Sequence, residues 1–188
     1  MQQAGKHPRT GATDEGKVTM KYVSLFSGIG GFSLGLEKSN PLFKTKAFCD
    51  IDKHAIKVLN KHWPKVPILE DITTVNKGTF NETIDLICGG YPCQPFSVAG
   101  KQKGKEDPRH LWPEMLRAIK EIQPSWVVGE NVHGLINWSG GLVFNEVQTD
   151  LEAEGYEVFP YVLPACATNA PHRRDRVWFI AYSDSNRN

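Results

Sequence analysis

Cys93 sits between two prolines in YPCQPFS, directly after an apolar run that ends in a glycine pair, DLICGG. Pro92 and Pro95 fix φ locally, so the thiol is held where neither a helix nor an ordinary strand can form. A strand-end thiol facing a crevice is placed to act as a nucleophile; the other reading is a purely structural turn. Nothing nearby in sequence lowers its pKa, so activation needs a helix terminus, a basic side chain from elsewhere, or a proton passed to the substrate. Glu130, in VVGENV, ends an otherwise apolar strand. There it is either desolvated, which raises its pKa and suits proton donation, or paired with an arginine. In HRRDRVWFIAY, Arg174 and Arg176 precede a strongly apolar strand. Arginine offers a planar fork of donors for a carboxylate, a phosphate or a base carbonyl. Arg173 reads as a surface charge, and Asp175 as a carboxylate paired locally.

A second group of residues suits a nucleoside-like ligand. FSGIGG follows the first apolar strand and opens a helix. Gly28, Gly30 and Gly31 permit a tight turn and a close approach of backbone amides to a ligand. It is not the dinucleotide fingerprint, because Ser33 stands where the third glycine is needed. Asp50, at the end of the second strand, can accept from ribose hydroxyls, and Asp71, after the third, from an adenine amino group. The competing reading of each carboxylate is a solvated loop position. After Cys93, SVAGKQKGKEDPRH carries Lys101, Lys103 and Lys105 in alternation. This is either a solvated loop or a lid over a phosphate backbone.

Alternating strands and helices position these residues. Strands are predicted at Tyr22–Phe26, Lys46–Ile51, Val66–Leu69, Ile84–Cys88, in SWVVGENV, and in EVFPYVLPA and RVWFIAY. Between them, residues 32–38, DKHAIKVLNKHW, WPEMLRAIKEI and LVFNEVQTDLEAEG read as helices, with apolar faces such as Met115, Leu116, Ile119 and Ile122. Pro113 suits a first turn, Pro124 stops its helix, and Gly155 ends the last one. Strands apolar throughout, separated by helices, predict a mostly parallel sheet covered on both faces. The unusual residues all fall in the crevice beyond the strand C-terminal ends, where such sheets bind ligands.

The totals bound the possibilities. The chain has 188 residues and a net charge of +1, so any contact with a polyanion must come from a local patch or another chain. No run reaches the roughly 20 apolar residues of a membrane span. Residues 1–20 are polar, carry no signal-peptide core, and read as a flexible tail. One domain is expected over 21–183, with a short tail at 184–188. The four cysteines show no CxxC spacing and the six histidines no ligand pattern. Reduced thiols in a cytoplasmic compartment and no metal site are therefore expected. Cys49, Cys88 and Cys166 read as small buried hydrophobes.

FSGIGGF, Asp50, EDI, GGYPCQPFSVAGKQKG, ENV and RRDRVWFIA occur in the order found in the DNA cytosine-5 methyltransferases, which the chain resembles from about Tyr22 to Tyr182. The resemblance implies a Rossmann-like, S-adenosylmethionine-dependent methyltransferase fold in a bacterial or phage-encoded protein. The cofactor, released as S-adenosylhomocysteine, would lie on Phe26, Gly28, Ile29, Gly30 and Gly31. Asp50 and Ile51 would hold its ribose and adenine, and Asp71 and Ile72 the adenine, with Pro92 and Leu111 at further contact positions. The substrate would be double-stranded DNA with a cytosine flipped out of the stack. Cys93 would add to C6, making C5 nucleophilic toward the sulfonium methyl; Glu130 would donate at N3, and Arg176 would contact the base carbonyl with Arg174 close by.

In that family a target-recognition region and a returning strand and helix follow the RVWFIA-like strand. The sequence ends six residues after Tyr182. The expectation is the catalytic part of a larger or split enzyme, the split form being completed by a second polypeptide that reads DNA. A transfer-RNA cytosine-5 methyltransferase and a non-catalytic cofactor-binding subunit stay open beside it. A nicotinamide-dependent dehydrogenase is disfavoured by Ser33 and by the PCQ motif.

Overall fold

The computed structural model describes residues 13–14, 17–92 and 111–183. Seven strands form its main sheet: β1 (Met20–Leu25), β2 (Phe43–Cys49), β3 (Ile68–Leu69), β4 (Leu86–Gly89), β5 (Trp126–Val132), β6 (Glu157–Pro164) and β7 (Asp175–Tyr182). Among the described residues, four α-helices accompany them: α1 (Gly31–Ser39), α2 (Lys53–His62), α3 (Trp112–Ile122) and α4 (Leu142–Ala153). Ahead of the sheet, Thr13–Asp14 pairs antiparallel with Lys17–Val18.

The strand order is β3-β2-β1-β4-β5-β7-β6. Pairings from β3 through β5 are parallel, whereas β5 with β7 and β7 with β6 are antiparallel. The sheet is thus mostly parallel, as its apolar strands predict, with an antiparallel end. Physically, the connection between β6 and β7, residues 165–174, is too short for the helical crossover that parallel neighbours require. β6 lies at the edge and carries Pro160 and Pro164.

Helices cover both faces. Val23, Leu25, Ile87, Val127, Val177 and Phe179 project to the face where α3 and α4 supply Met115, Ile119, Val147 and Leu151, all buried. The Trp112 indole N–H of α3 donates to Asp150 Oδ2 of α4 at 2.8 Å, which ties these two helices together. Tyr22, Leu86 and Cys88 face the other way, against Phe32 and Leu36 of α1. Pro113 in the first turn and Gln123 in the left-handed conformation at the C-cap bound α3, just ahead of Pro124. Each fully buried Leu- or Met-sized side chain contributes about 1.5–3 kcal/mol of burial, so this double-sided packing holds the strand ends in fixed register.

That register places the site. Leu25 is level with both Cys49 and Gly89, and Gly89 with Gly129. Asp50, Phe26, Gly90 and Glu130 therefore stand side by side, each one residue beyond this row. The strand order reverses between β1 and β4, so the crevice at their C-terminal ends is the switch point of the sheet.

Candidate active site

The turn after β1 is built from backbone geometry that few residues accept. Phe26, Gly28 and Gly30 have φ of 51°, 53° and 89°. For an aromatic residue this region costs about 1–3 kcal/mol. Neighbouring bonds hold it there: the Ser27 N–H donates to the Cys49 carbonyl at 3.0 Å, and Ser27 Oγ donates to the Ser24 carbonyl at 2.7 Å. Asp50 closes the turn, its Oδ2 accepting from the Gly28 N–H at 2.6 Å and its Oδ1 from the Asp52 N–H at 2.8 Å. Gly31 then opens α1, whose first amides have no intrahelical partner and favour negative charge.

Apolar side chains stand uncovered beside this turn. Ile29 is 64% and Ile51 83% exposed, and added Cβ atoms on Gly28 and Gly31 would meet nothing within 4 Å. Here lies a polar cradle with two apolar walls. Asp71 caps the short 3-10 turn Ile72–Thr74, its Oδ1 accepting from the Thr73 N–H and hydroxyl at 2.9 and 2.8 Å. Those bonds hold its carboxyl below the ordinary range. Ile72 itself is only 9% exposed and packs in the core, where its carbonyl accepts from Arg117. The structure thus brings Phe26, Gly28–Gly31, Asp50 and Ile51 together, while the Ile72 side chain points into the core.

At the end of β4, both glycines are required by what surrounds them. A Cβ on Gly89 would lie 2.5 Å from the Leu25 carbonyl oxygen, and one on Gly90 2.8 Å from Glu130 Oε2. Tyr91 follows, 2% exposed, with its ring 5.0 Å from that of Trp112. Its carbonyl accepts from the Asn131 side-chain amide at 3.0 Å. Asn131 is a positioning residue that the sequence reading passed over. A buried amide in an apolar strand needs a partner, and that was the available signal. Pro92 is exposed, and its carbonyl accepts from the Leu111 N–H at 3.2 Å, so the two ends of the intervening segment meet. Cys93 and the lysines at 101, 103 and 105 lie outside the described residues.

Glu130 leaves the end of β5 beside Gly90, and its Oε1 pairs with Arg176 Nε of β7 at 2.8 Å. Burial holds the Glu130 carboxyl above its ordinary range; the charges of Arg176 and Arg174 and the hydrogen bond from Arg176 pull the other way without cancelling it. Both sequence-level readings of Glu130, desolvated and arginine-paired, therefore hold at once. Glu130, Arg174 and Arg176 line a cavity of about 580 Å³ whose other walls include Phe32, Leu36, Leu163 and Trp178. Arg174 has φ of 41°. Arg173 is bound instead to Asp175, Nε to Oδ2 at 2.8 Å, with its side chain 82% exposed.

The cysteines divide. Burial pushes the Cys88 thiol up to about 12, and burial with the charges of Asp50 and Asp71 does the same to Cys49. Both are poor nucleophiles. Cys166, expected to be buried, is exposed, because it lies in the short turn Ala165–Thr168 between β6 and β7 rather than in a strand. Among the described residues, no three His, Cys, Asp or Glu side chains group as metal ligands do, and no helix is long and apolar enough to cross a membrane.

Comparison with known proteins agrees with this arrangement. Residues 20–188 match the family model for C-5 cytosine-specific DNA methylases. The Escherichia coli type II methyltransferase M.Eco47II is 40% identical over 162 residues, which cover 85% of this chain and 38% of that one. M.AquIA, a type II methyltransferase from Picosynechococcus, is 36% identical over 177 residues, covering 85% of this chain and 71% of its own length. An E. coli prophage protein, described as a DNA modification methyltransferase, superposes with a TM-score of 0.75 at 31% identity, covering 89% of this chain and 47% of the other. With the sheet order and its strand-end residues already in place, these matches show that the chain belongs to the C-5 cytosine-specific DNA methylase family.

Proposed function

We propose that this chain transfers a methyl group from S-adenosylmethionine to C5 of cytosine in DNA through a covalent Cys93–C6 intermediate, as the catalytic part of a larger or split enzyme. One observation carries the reading. Glu130, held above its ordinary pKa, is fixed by Arg176 against Gly90, three residues ahead of Cys93 in the chain. A carboxyl whose proton affinity is raised by burial is suited to donate where electron density builds on a pyrimidine ring.

The residues fit the cofactor. The Gly28–Gly31 turn leaves Cβ space open on Gly28 and Gly31, Ile29 and Ile51 stand uncovered, and Asp50 has lone pairs beyond its two backbone bonds. Phe26, Gly28, Ile29, Gly30 and Gly31 would hold the amino-acid end and the sulfur. Asp50 and Ile51 would take the ribose and adenine, and Asp71 would accept from the adenine amino group. Pro92 and Leu111 would close the pocket, and Ile72 would support it from the core. When bound, the sulfonium supplies an electrophilic methyl group.

The Cys93 thiolate attacks C6 of the flipped base, and the C5=C6 electrons move toward N3, where Glu130 donates. Arg176 and Arg174 orient the base carbonyl. C5 would then take the methyl carbon while the sulfur keeps the electron pair of the broken bond, a base would remove the C5 proton, and elimination of the cysteine would restore the double bond. Such a step needs the reacting atoms held about 3–3.5 Å apart. The chain spans less than two fifths of M.Eco47II but 71% of M.AquIA. That supports assigning chemistry to these residues and target reading to others, on the same or a second polypeptide.

The test is adduct trapping on duplex DNA containing 5-fluorocytosine, with S-adenosylmethionine and with or without a supplied target-recognition polypeptide. Wild-type protein should form an adduct stable to denaturation, and Cys93→Ala none, while S-adenosylhomocysteine affinity stays within a few-fold. Full methylation by Cys93→Ala would refute the mechanism. Methyl transfer to transfer RNA in preference to duplex DNA would reassign the substrate.

A further inference from the structure

The glycine turn has a side that faces the crevice and a side that rests on something. Of its three glycines, Gly28 and Gly31 have free space where a Cβ would be, but Gly30 does not. A Cβ there would lie 2.6 Å from Trp63 Cζ3 and 2.7 Å from Cη2, with Leu59 Cδ2 at 3.1 Å. The outer edge of the Trp63 ring is thus set against the backbone of Gly30. Sequence spacing gives no hint of this contact, because Trp63 is the C-cap of α2, well downstream of the turn.

The ring is held at several points. Its N–H donates to Glu37 Oε2 in the last turn of α1 at 2.9 Å, and it packs edge-to-face with Phe48 of β2, the ring centroids 5.3 Å apart. Its own backbone N–H donates to the Leu59 carbonyl at 2.7 Å. Glu37 is anchored in turn: Oε1 accepts from the Thr45 hydroxyl at 2.5 Å and from the Tyr22 hydroxyl at 3.3 Å. Tyr22 is fully buried in β1, and burial keeps its phenol protonated and therefore a donor. Two strands and two helices thereby converge on one indole.

We propose that Trp63, fixed by Glu37, is a positioning residue for the cofactor turn: its ring is the floor on which Gly30 rests, and it sets the height of the Gly28–Gly31 amides above the crevice. The inference rests on the proposed role of that turn. Without the ring, Gly30 could sink toward α2, and its neighbours would lose alignment with a bound ligand. Trp63 makes this contribution from beneath the turn.

The experiment is calorimetric titration of the 188-residue chain with S-adenosylhomocysteine, alongside thermal melts. Trp63→Ala should weaken binding about tenfold, equivalent to about 1.4 kcal/mol, and Trp63→Phe, which keeps a ring but lacks the N–H, about threefold. Gly30→Ala should weaken binding at least about tenfold on its own and by a measurably smaller factor in the Trp63→Ala background, where the positive φ and Leu59 still strain the added methyl but the ring it strikes is gone. Equal effects of Gly30→Ala in both backgrounds would overturn the proposal. So would folded Trp63 variants that lose melting temperature yet bind as tightly as wild type; should Trp63→Ala not fold, Trp63→Phe decides. Wild-type protein that does not bind would overturn the assignment of the turn, and this inference with it.

Discussion

Gly89 and Gly90 are adjacent, yet adding one methyl group to each should break different things. At Gly89 the new Cβ falls 2.5 Å from the Leu25 carbonyl oxygen, about 0.9 Å inside ordinary contact. That oxygen belongs to β1, level with Gly89 in the parallel ladder, and cannot move without separating two central strands. Overpacking against fixed backbone sits at the upper end of the usual range, about 3 kcal/mol. Replacing glycine returns about 0.4–1 kcal/mol through the unfolded chain. The net loss is about 2–3 kcal/mol, which for a chain of this size lowers the melting temperature by about 4–10 °C. At Gly90 the obstacle is Glu130 Oε2 at 2.8 Å, the tip of a side chain that can pivot on its bond to Arg176. The clash there costs about 1 kcal/mol, nearly offset by the same unfolded-state gain, so the melt should stay within about 2 °C. The carboxyl is nonetheless pushed about 0.6 Å from its place, and displacement on this scale costs about 10- to 100-fold in rate. Thermal melts and a labelled-methyl transfer assay on both variants separate the effects. Equal melting losses, or a Gly90→Ala variant as active as wild type, would refute the reasoning.

Two further outcomes are expected. Asp50→Ala leaves the Gly28 and Asp52 amides without their acceptor, so S-adenosylhomocysteine affinity should fall by about 1–3 kcal/mol; an unchanged dissociation constant would return Asp50 to a solvated-loop role. Glu130→Gln tests the half-buried carboxyl through pH. Its folded pKa is raised, so the folded state binds this proton more tightly than the unfolded one. The stability this gives is complete below the unfolded value and is lost as pH rises through the folded value. Wild type should therefore lose stability relative to Glu130→Gln in paired melts as pH rises from about 4, the unfolded carboxyl value, and a gain on that rise would contradict the burial argument.

Much of this architecture was legible in the residues themselves. The bounds of α3 follow from Pro113 and Pro124, and the buried positions of α2 and α4 follow from helical spacing. Continuous apolar strands separated by helices announced a covered, mostly parallel sheet, but nothing in their composition marked the last two as running the other way. The brevity of residues 165–174 was the overlooked clue to the antiparallel end. The Glu130–Arg176 pair depends on cross-strand register, with Val132 level with Arg176, which no sequence spacing encodes. Asp50 was legible as a crevice carboxylate; its bond to the Gly28 amide was not, since it depends on how β1 and β2 align. Ile72 was placed at the adenine by the resemblance alone; the 3-10 turn capped by Asp71 turns its side chain into the core.

β6 forms the outer rim of the sheet and exposes Phe159, Tyr161, Val162 and Leu163. A rim this apolar invites neighbouring molecules to add strands to it. Proline has no amide hydrogen, so Pro160 and Pro164 must turn their nitrogen side outward, away from β7. Along that outward row, Val158, Pro160, Val162 and Pro164, every second donor is missing. Another copy laid against it would find alternate rungs absent, which discourages fibrous stacking in concentrated solution while leaving the side chains free.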